Sequence, residues 1–198
     1  SSNDQLGVGQ REYVNNHINK AIDINNVDFS NLNNQRILVQ LHLQRHLGLR
    51  REEAIKIKPY QADKGTHVEL QSSWCKGGRG RTVPIHTPEA RYWLEEAKKL
   101  VENPKHSLIP TDKNYIQYRH HYDKQIKIVG IKHAHGLRHA YAQSRYKELT
   151  GWDCPKCGGP TSKQLTPEQK KIDREARLMI SSELGHCRLQ IVSNYLGR

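Results

Sequence analysis

The side chains with the clearest chemical potential lie in three short segments of the chain. His186 and Tyr195 are nine residues apart near the C-terminal end, His135 and Arg138 are three apart in HGLRH, and Arg50 lies in GLRREE. Arginine suits phosphate binding because its planar guanidinium donates two parallel hydrogen bonds. A phenol oxygen can attack a phosphorus atom that is held in this way. These residue types together therefore indicate a site that binds and cleaves a phosphodiester.

Each of these residues also has an ordinary explanation when it is taken alone. An arginine such as Arg50 is most often a surface residue. His186 follows a Leu-Gly helix stop, where a histidine commonly interacts with the helix dipole. Tyr195 on its own would be a half-buried core tyrosine. The prediction therefore depends on the order and combination of the residues and not on any one of them.

Charge is the strongest signal in the composition. The 198 residues include 32 Lys and Arg against 20 Asp and Glu, which gives a formal net charge of +12. Such an excess favours a polyanionic partner, and nucleic acid is the obvious candidate because phosphate contacts dominate its binding. The alternative is a protein that is merely basic. Apolar residues make up 35% of the chain, which is enough for one core.

Neither a membrane span nor a signal peptide is evident in the sequence. The four cysteines do not resemble a secreted disulfide framework, so a reducing, cytoplasmic and nucleoid-associated location is expected. The sequence has no carboxylate cluster with metal-ligand spacing and no glycine-rich phosphate loop, so we expect no cofactor.

Hydrophobic spacing predicts a mainly α fold with a small antiparallel β-sheet, in the α+β class. A helix is expected over 8–22, a loop over 23–34, and strands over 67–70, 73–75 and 81–85 around glycine turns. Further helices are expected over 35–46, 51–57 (closed by Pro59), 87–102, 112–128 (capped by Asp112), 135–149 and 166–184, with a short last helix carrying Tyr195.

The motifs occur in an order that resembles the tyrosine recombinases, the integrases of phages and mobile elements. GLRREE comes first, then a glycine-turned hairpin with a lysine, then HGLRH, then LGH, and a tyrosine nine residues later. The resemblance covers about residues 30–198, the catalytic domain of that family. It implies a site-specific recombinase that cuts and rejoins DNA through a covalent 3′-phosphotyrosyl intermediate.

The resemblance also implies a role for each residue of the three segments. Arg50 and Arg138 would clamp the scissile phosphate. His135 would exchange a proton with the tyrosine, and His186 would donate to a nonbridging oxygen. Tyr195 would be the nucleophile.

The hairpin segment KGGRGR adds a further catalytic residue to this set. Lys76 would take the position of the general acid that protonates the leaving 5′ oxygen. Arg79 and Arg81 are expected to contact DNA phosphates, and Lys76 could equally do only this. Glu53 would orient an arginine or histidine, and His139 would support the residues that touch the phosphate.

Two features fall outside the family pattern. Residues 1–30 are interpreted as an N-terminal segment or linker remnant that precedes a catalytic domain over 31–198. An insertion at about 151–170 contains Cys154 and Cys157, and one CxxC is half of a zinc site. The missing ligands would come from another cysteine, a histidine or a second chain. The alternative is a Gly/Pro loop with two reduced thiols.

The resemblance implies a tetramer acting on two DNA duplexes and a monomer or weak oligomer when free, without a membrane partner. A type IB topoisomerase would use similar chemistry without site-specific synapsis. A non-catalytic, zinc-stabilised DNA-binding protein would use the same basic residues only to follow the backbone. An RNA-binding module is not favoured, because the sequence has no interleaved aromatic platform.

Overall fold

A computed structural model describes residues 14–198 of the chain. The elements in this range are α1 (Gln35–Leu47), α2 (Arg51–Lys56), α3 (Pro59–Ala62), β1 (His67–Leu70), β2 (Arg81–Pro84), α4 (Pro88–Lys99), α5 (Tyr115–Ile128), α6 (Gly136–Thr150), α7 (Pro167–Glu183) and α8 (Ser193–Leu196). β1 and β2 form a two-stranded antiparallel sheet in which Val68 pairs with Val83. The predicted fold class, mainly α with a small antiparallel sheet, is confirmed.

Helix starts follow the local capping chemistry. The Thr166 side chain accepts a hydrogen bond from the backbone N–H of Gln169, whose own side chain caps in return, so α7 begins with a capping box. Proline occupies the first turn of α7 and also that of α4, where a backbone N–H would have no helical partner. These caps fix where the two long helices start and so help to place their far ends.

α1 is the central helix, because it is buried on two sides. Val39, Leu43 and Leu47 pack into a core cluster that also includes parts of α4, α6, α7, α8 and the sheet. Ile37 and Leu41 pack into a second cluster with α5 and with residues around Ile24. The segment that follows residue 22 is therefore packed against the helices, with Ile24 only 4% exposed.

The helix expected over 8–22 is wrong for the residues that the structure describes. Residues 14–22 contain one turn and otherwise no regular secondary structure, while residues 8–13 lie outside the described range. The side-chain oxygens of Asn15 and Asn19 accept hydrogen bonds from the backbone N–H groups of His17 and Ala21. Asparagine competes with helix hydrogen bonding in this way, and it overrides the apolar spacing here.

Three smaller expectations are also corrected. The strand expected at 73–75 is a short 3-10 helix, Ser72–Trp74. Pro59 does not merely close α2, because it opens α3 from the first helical position. The cap of α5 is Asn114, which forms a capping box, and not Asp112, which pairs with Lys113.

No helix within residues 14–198 has the length and apolar character that crossing a lipid bilayer requires.

Candidate active site

Two chain turns meet at the start of α6 and are joined there by one arginine. Arg138 donates a hydrogen bond to the carbonyl of Gly48 (2.6 Å), where α1 ends, and another to the carbonyl of Leu184 (2.9 Å), where α7 ends. Gly48 has a φ of 63°, and a Cβ there would lie 2.7 Å from the Tyr141 ring. Glycine is therefore required at this turn, which directs Arg50 towards α6.

The phenol of Tyr195 lies between two imidazoles. Its Oη is 3.2 Å from Nε2 of His186 and 3.2 Å from Nε2 of His135. The Arg138 guanidinium is 3.4 Å from the same His186 nitrogen and 6.0 Å from the centre of the Tyr195 ring. The four residues come from α6, the turn after α7, and α8. The structure therefore brings His135, Arg138, His186 and Tyr195 together within hydrogen-bond distances.

Arg138 is an unusual arginine because its side chain is completely buried. Burial disfavours its charged form and lowers its pKa to about 10. Tyr195 acts to raise this pKa, whereas the charges of Arg50 and Arg81 lower it further. Its Nε–H has no acceptor among residues 14–198. Buried N–H donors nearly always have an acceptor, so this donor suits an anion.

The histidines beside Tyr195 are neutral at physiological pH. Burial, followed by the charges of Arg138 and Arg50, lowers the pKa of both His135 and His186 to about 4. A neutral imidazole has one nitrogen free to accept a proton. In this state either ring can take the proton of the Tyr195 hydroxyl.

Arg50 lies at the start of α2 and faces a small cavity. Its Nη1 donates to Glu53 (3.0 Å), and its side chain remains 25% exposed. The cavity has a volume of about 250 Å³, and its lining contains more basic side chains than acidic ones: Arg50, Arg51, Lys132, His133, His135 and Arg138 against Asp123. Arg50 therefore shares one basic cavity with two of the residues that surround Tyr195.

Glu53 is fully buried and binds two arginines. Arg81 donates to both of its carboxylate oxygens, at 2.6 and 2.8 Å, in addition to the contact from Arg50. Burial alone would raise the pKa of Glu53, but the hydrogen bonds and charge of Arg81, followed by Arg50, lower it to about 2. Arg81 also donates through Nε to the carbonyl of Glu183 at the end of α7 (2.6 Å).

Arg81 was expected to contact DNA, but its side chain is only 6% exposed and its donors are occupied by protein oxygens. The pair of Glu53 and Arg81 links α2, β2 and the end of α7. This link fixes the turn that carries His186.

Lys76 lies in the exposed loop between β1 and β2. Within residues 14–198 it forms no ion pair, while Arg79, three residues further on, contacts the sulfur of Cys187. Cys187 directly follows His186. The loop is therefore held against the residue next to the histidine, and Lys76 is exposed.

His139 and a large groove complete the surroundings of Tyr195. The His139 ring is 4.4 Å from the Tyr195 ring, centre to centre, and lies one helical turn after His135. A groove of about 1210 Å³ is lined by the tyrosine and its histidines, with Lys20 and Arg188 at its sides. His135 lines both this groove and the smaller basic cavity.

The CxxC turn, residues 154–157, lies outside the cluster of Arg50, Arg81 and Arg138. Cys154 is buried and Cys157 is exposed at the end of a 3-10 helix, Pro155–Cys157. Among residues 14–198 no group of three or more His, Cys, Asp or Glu side chains could hold a metal ion. Cys75 lies beside Arg81, and Cys187 contacts Arg79, so neither joins the pair. A zinc ion at this turn would need ligands from outside the described residues.

Two contributors to the site were missed in the sequence. The carbonyl of Glu183 binds Arg81, and the side chain of Gln143 donates to the carbonyl of Tyr195 (3.0 Å). Backbone acceptors leave no mark in a sequence. Gln143 did leave one, because residues eight apart on a helix share a face and Gln143 is eight after His135.

A mainly α domain with a two-stranded sheet and a basic centre around a tyrosine has the architecture of an integrase-type catalytic domain. A family model described as Integrase matches residues 14–144, about two thirds of the chain. The chain therefore belongs to the integrase family, whose members act on DNA as integrases or recombinases. The matched segment contains Arg50, Lys76, His135 and Arg138, and it ends before Tyr195. No curated protein matches the chain significantly.

Proposed function

We propose that this integrase is a tyrosine recombinase of a mobile element, which cuts and rejoins DNA through a 3′-phosphotyrosyl intermediate. One observation carries the proposal. The hydroxyl of Tyr195 is 3.2 Å from Nε2 of both His135 and His186, beside the buried guanidinium of Arg138. A core tyrosine does not need two neutral imidazoles at its hydroxyl, whereas a nucleophile needs a base there.

Cleavage begins when the scissile phosphate enters between the basic cavity and the groove. Arg50 and Arg138 hold its nonbridging oxygens, and His186 donates to one of them. The phosphate displaces the long contact between Arg138 and His186, which is 3.4 Å in the free protein. The donors then balance the charge that develops on the phosphoryl oxygens in the transition state.

The transfer step exchanges one ester bond for another. His135 accepts the proton of Tyr195 Oη, the oxygen attacks phosphorus, and the bond from phosphorus to the 5′ oxygen breaks. Lys76 gives a proton to that oxygen. In the reverse direction a 5′ hydroxyl attacks the phosphotyrosine and releases Tyr195. The energy of the phosphodiester is kept in the covalent link, so rejoining consumes no nucleotide.

The nucleophile acts within its own subunit in this proposal, because Tyr195 already contacts histidines of the same chain. Four protomers on two duplexes would then exchange strands in pairs. The groove beside Tyr195, with Lys20 and Arg188 at its sides, is the surface that would receive the DNA backbone.

A DNA library tests the proposal without knowledge of the target site. Duplexes with randomised flanks carry one phosphate whose bridging 5′ oxygen is replaced by sulfur. The released thiol rejoins poorly, so covalent protein–DNA adducts accumulate and can be captured in detergent. We expect adducts with the wild type and none with Tyr195→Phe, which removes only the hydroxyl. An equal yield with Tyr195→Phe, or no adduct from any member of the library, would refute the proposal.

A type IB topoisomerase is the second candidate, and the pair of histidines beside Tyr195 fits its chemistry equally well. Relaxation of supercoiled plasmids distinguishes the two functions. A recombinase should enrich a defined sequence from the library and relax unrelated plasmids slowly. Rapid relaxation of every plasmid without enrichment would favour the topoisomerase.

A further inference from the structure

The CxxC turn packs directly against the segment that carries Tyr195. Lys156, between the two cysteines, donates from Nζ to the carbonyl of Asn194 (2.7 Å). Pro155 lies against Gly197, where an added Cβ would be 3.0 Å from the proline Cβ. The insertion therefore contacts the chain on both sides of the tyrosine.

A buried carboxamide connects this turn to Tyr195 itself. Gln143, on α6, is 8% exposed and donates from Nε2 to the carbonyl of Tyr195 (3.0 Å). Its Oε1 accepts a hydrogen bond from the thiol of Cys157 (3.2 Å). The remaining N–H of Gln143 donates to Asn19 (2.8 Å), and Asn19 donates back to Oε1 (3.2 Å). The carboxamide has its donors and acceptor in use, so its orientation is fixed.

Helix geometry places Gln143 in line with two other residues that contact Tyr195. His135, His139 and Gln143 are spaced four residues apart, so they lie along one face of α6. The first contacts the hydroxyl of Tyr195, the second contacts its ring, and the third holds its carbonyl. A single rigid helix thus sets the position of the tyrosine at three points.

We infer that Gln143 is a positioning residue for the nucleophile and that the thiol of Cys157 orients its carboxamide. The CxxC insertion then helps to hold Tyr195 in position in this chain, and we call this set of contacts the brace. This inference rests on the proposed function, since it assigns the brace to the cleavage step. A displacement of about 1 Å at a reacting atom lowers a rate by up to about 100-fold, so a loosened carbonyl contact should appear mainly in the chemical step.

The test compares Gln143→Leu, Cys157→Ala, Cys157→Ser and the matched control Cys154→Ala. Cys154 lies in the same turn, and its buried thiol contacts that of Cys157 but not Gln143. Cleavage is followed in single turnovers with library-selected phosphorothiolate DNA at saturating protein. We expect Gln143→Leu to be about 10- to 100-fold slower with DNA affinity unchanged within about 2-fold. Cys157→Ala should be slower, Cys157→Ser should recover because its hydroxyl also donates, and Cys154→Ala should stay near wild type.

Backbone hydrogen exchange of the peptide that contains residues 193–198 gives a second readout that needs no catalysis. Exchange there should accelerate in Gln143→Leu and Cys157→Ala and stay at the wild-type rate in Cys157→Ser. Wild-type cleavage and exchange in Gln143→Leu would overturn the inference. Equal losses in Cys154→Ala and Cys157→Ala, without recovery in Cys157→Ser, would indicate a metal pair instead. If the wild type forms no adduct while the exchange pattern holds, the recombinase proposal fails and the brace remains.

Discussion

At the residue scale, the site depends on burying cationic side chains around a tyrosine. Desolvation, followed by the charge of the fully buried Arg138, lowers the pKa of His135 and His186 to about 4, so both rings are neutral at physiological pH. The phenol therefore has a proton acceptor before any substrate arrives. Lys76 lies outside this cluster on an exposed loop, which suits a group that must reach a leaving oxygen on the DNA.

Lys76→Ala tests the general acid. We expect cleavage of ordinary phosphodiester DNA to fall by about 10²- to 10⁴-fold, because the 5′ oxygen is a poor leaving group without a proton. The loss should largely disappear on the phosphorothiolate, since a thiolate leaves unprotonated. Lys170→Ala is the control, since it lies thirteen residues before Glu183 along α7, roughly 20 Å at 1.5 Å per residue. Equal losses on both substrates would show that Lys76 only binds DNA.

The low pKa of His135 predicts the pH below which adduct formation slows. Burial and neighbouring arginines hold that pKa at about 4, so protonation removes the base only as the pH falls towards this value. The kcat/KM for adduct formation should therefore stay level from pH 8 to about 5.5 and decline below about pH 5, because kcat/KM reports the free enzyme. In His135→Gln, where His186 is left as the acceptor, the rate should be lower than in the wild type at every pH. A half-maximal loss near pH 6.5, the ordinary histidine pKa, would contradict the environment described for His135.

At the element scale, one buried ion pair connects the helix and strand that lie next to the turn carrying His186. Glu53 on α2 binds Arg81 on β2, and Arg81 holds the end of α7, which leads into His186. The carbonyls of Gly48 and Leu184 are held in the same way by Arg138 on α6. The turns around Tyr195 are therefore held by arginines that bind backbone oxygens as well as by the apolar core.

Glu53→Ala should reduce the free energy of unfolding by about 3–5 kcal/mol, because it leaves the charge of Arg81 buried without its partner. The matched control is Asp123→Ala, which breaks the ion pair with Arg51, whose side chain is 44% exposed. An exposed pair of this kind contributes about 0–1 kcal/mol. Urea unfolding of both variants measures the difference. Similar small losses in the two variants would show that the Glu53 pair does not stabilise the fold.

At the scale of the whole molecule, the net charge of +12 favours DNA, and part of that charge lines the groove beside Tyr195. Not every basic residue belongs to this surface. Arg81 is used inside the protein, whereas Lys20 and Arg188 are exposed along the groove. The sequence alone could not separate these two groups of cations.

Salt dependence of binding to an arbitrary fluorescent duplex measures this surface. The slope of log K against log salt should fall in magnitude by about 2 in the double variant Lys20→Gln, Arg188→Gln, close to 0.9 for each lost phosphate contact. Lys170→Gln, near the other end of α7, should leave the slope unchanged. An unchanged slope in the double variant would place the DNA on another face.

The sequence predicted the parts of this molecule that local chemistry decides. Capping residues such as Thr166 marked a helix start correctly, and the paired strands followed from their β-type runs. Residues 14–22 do not form the helix that their apolar spacing predicts, because asparagine side chains bind the local backbone. The ion pair between Arg81 and Glu53 and the hydrogen bond between Cys157 and Gln143 join residues 28 and 14 positions apart, and no spacing reveals such pairs.

The side chain that carries the DNA identifies the nucleophile. Adducts formed on the phosphorothiolate library are digested with nuclease and protease, and the modified peptide is sequenced by tandem mass spectrometry. We expect a nucleotide joined through its 3′ phosphate to the phenol oxygen of Tyr195, within the peptide that follows Arg188. A nucleotide on any other residue, or one joined through its 5′ phosphate, would contradict it.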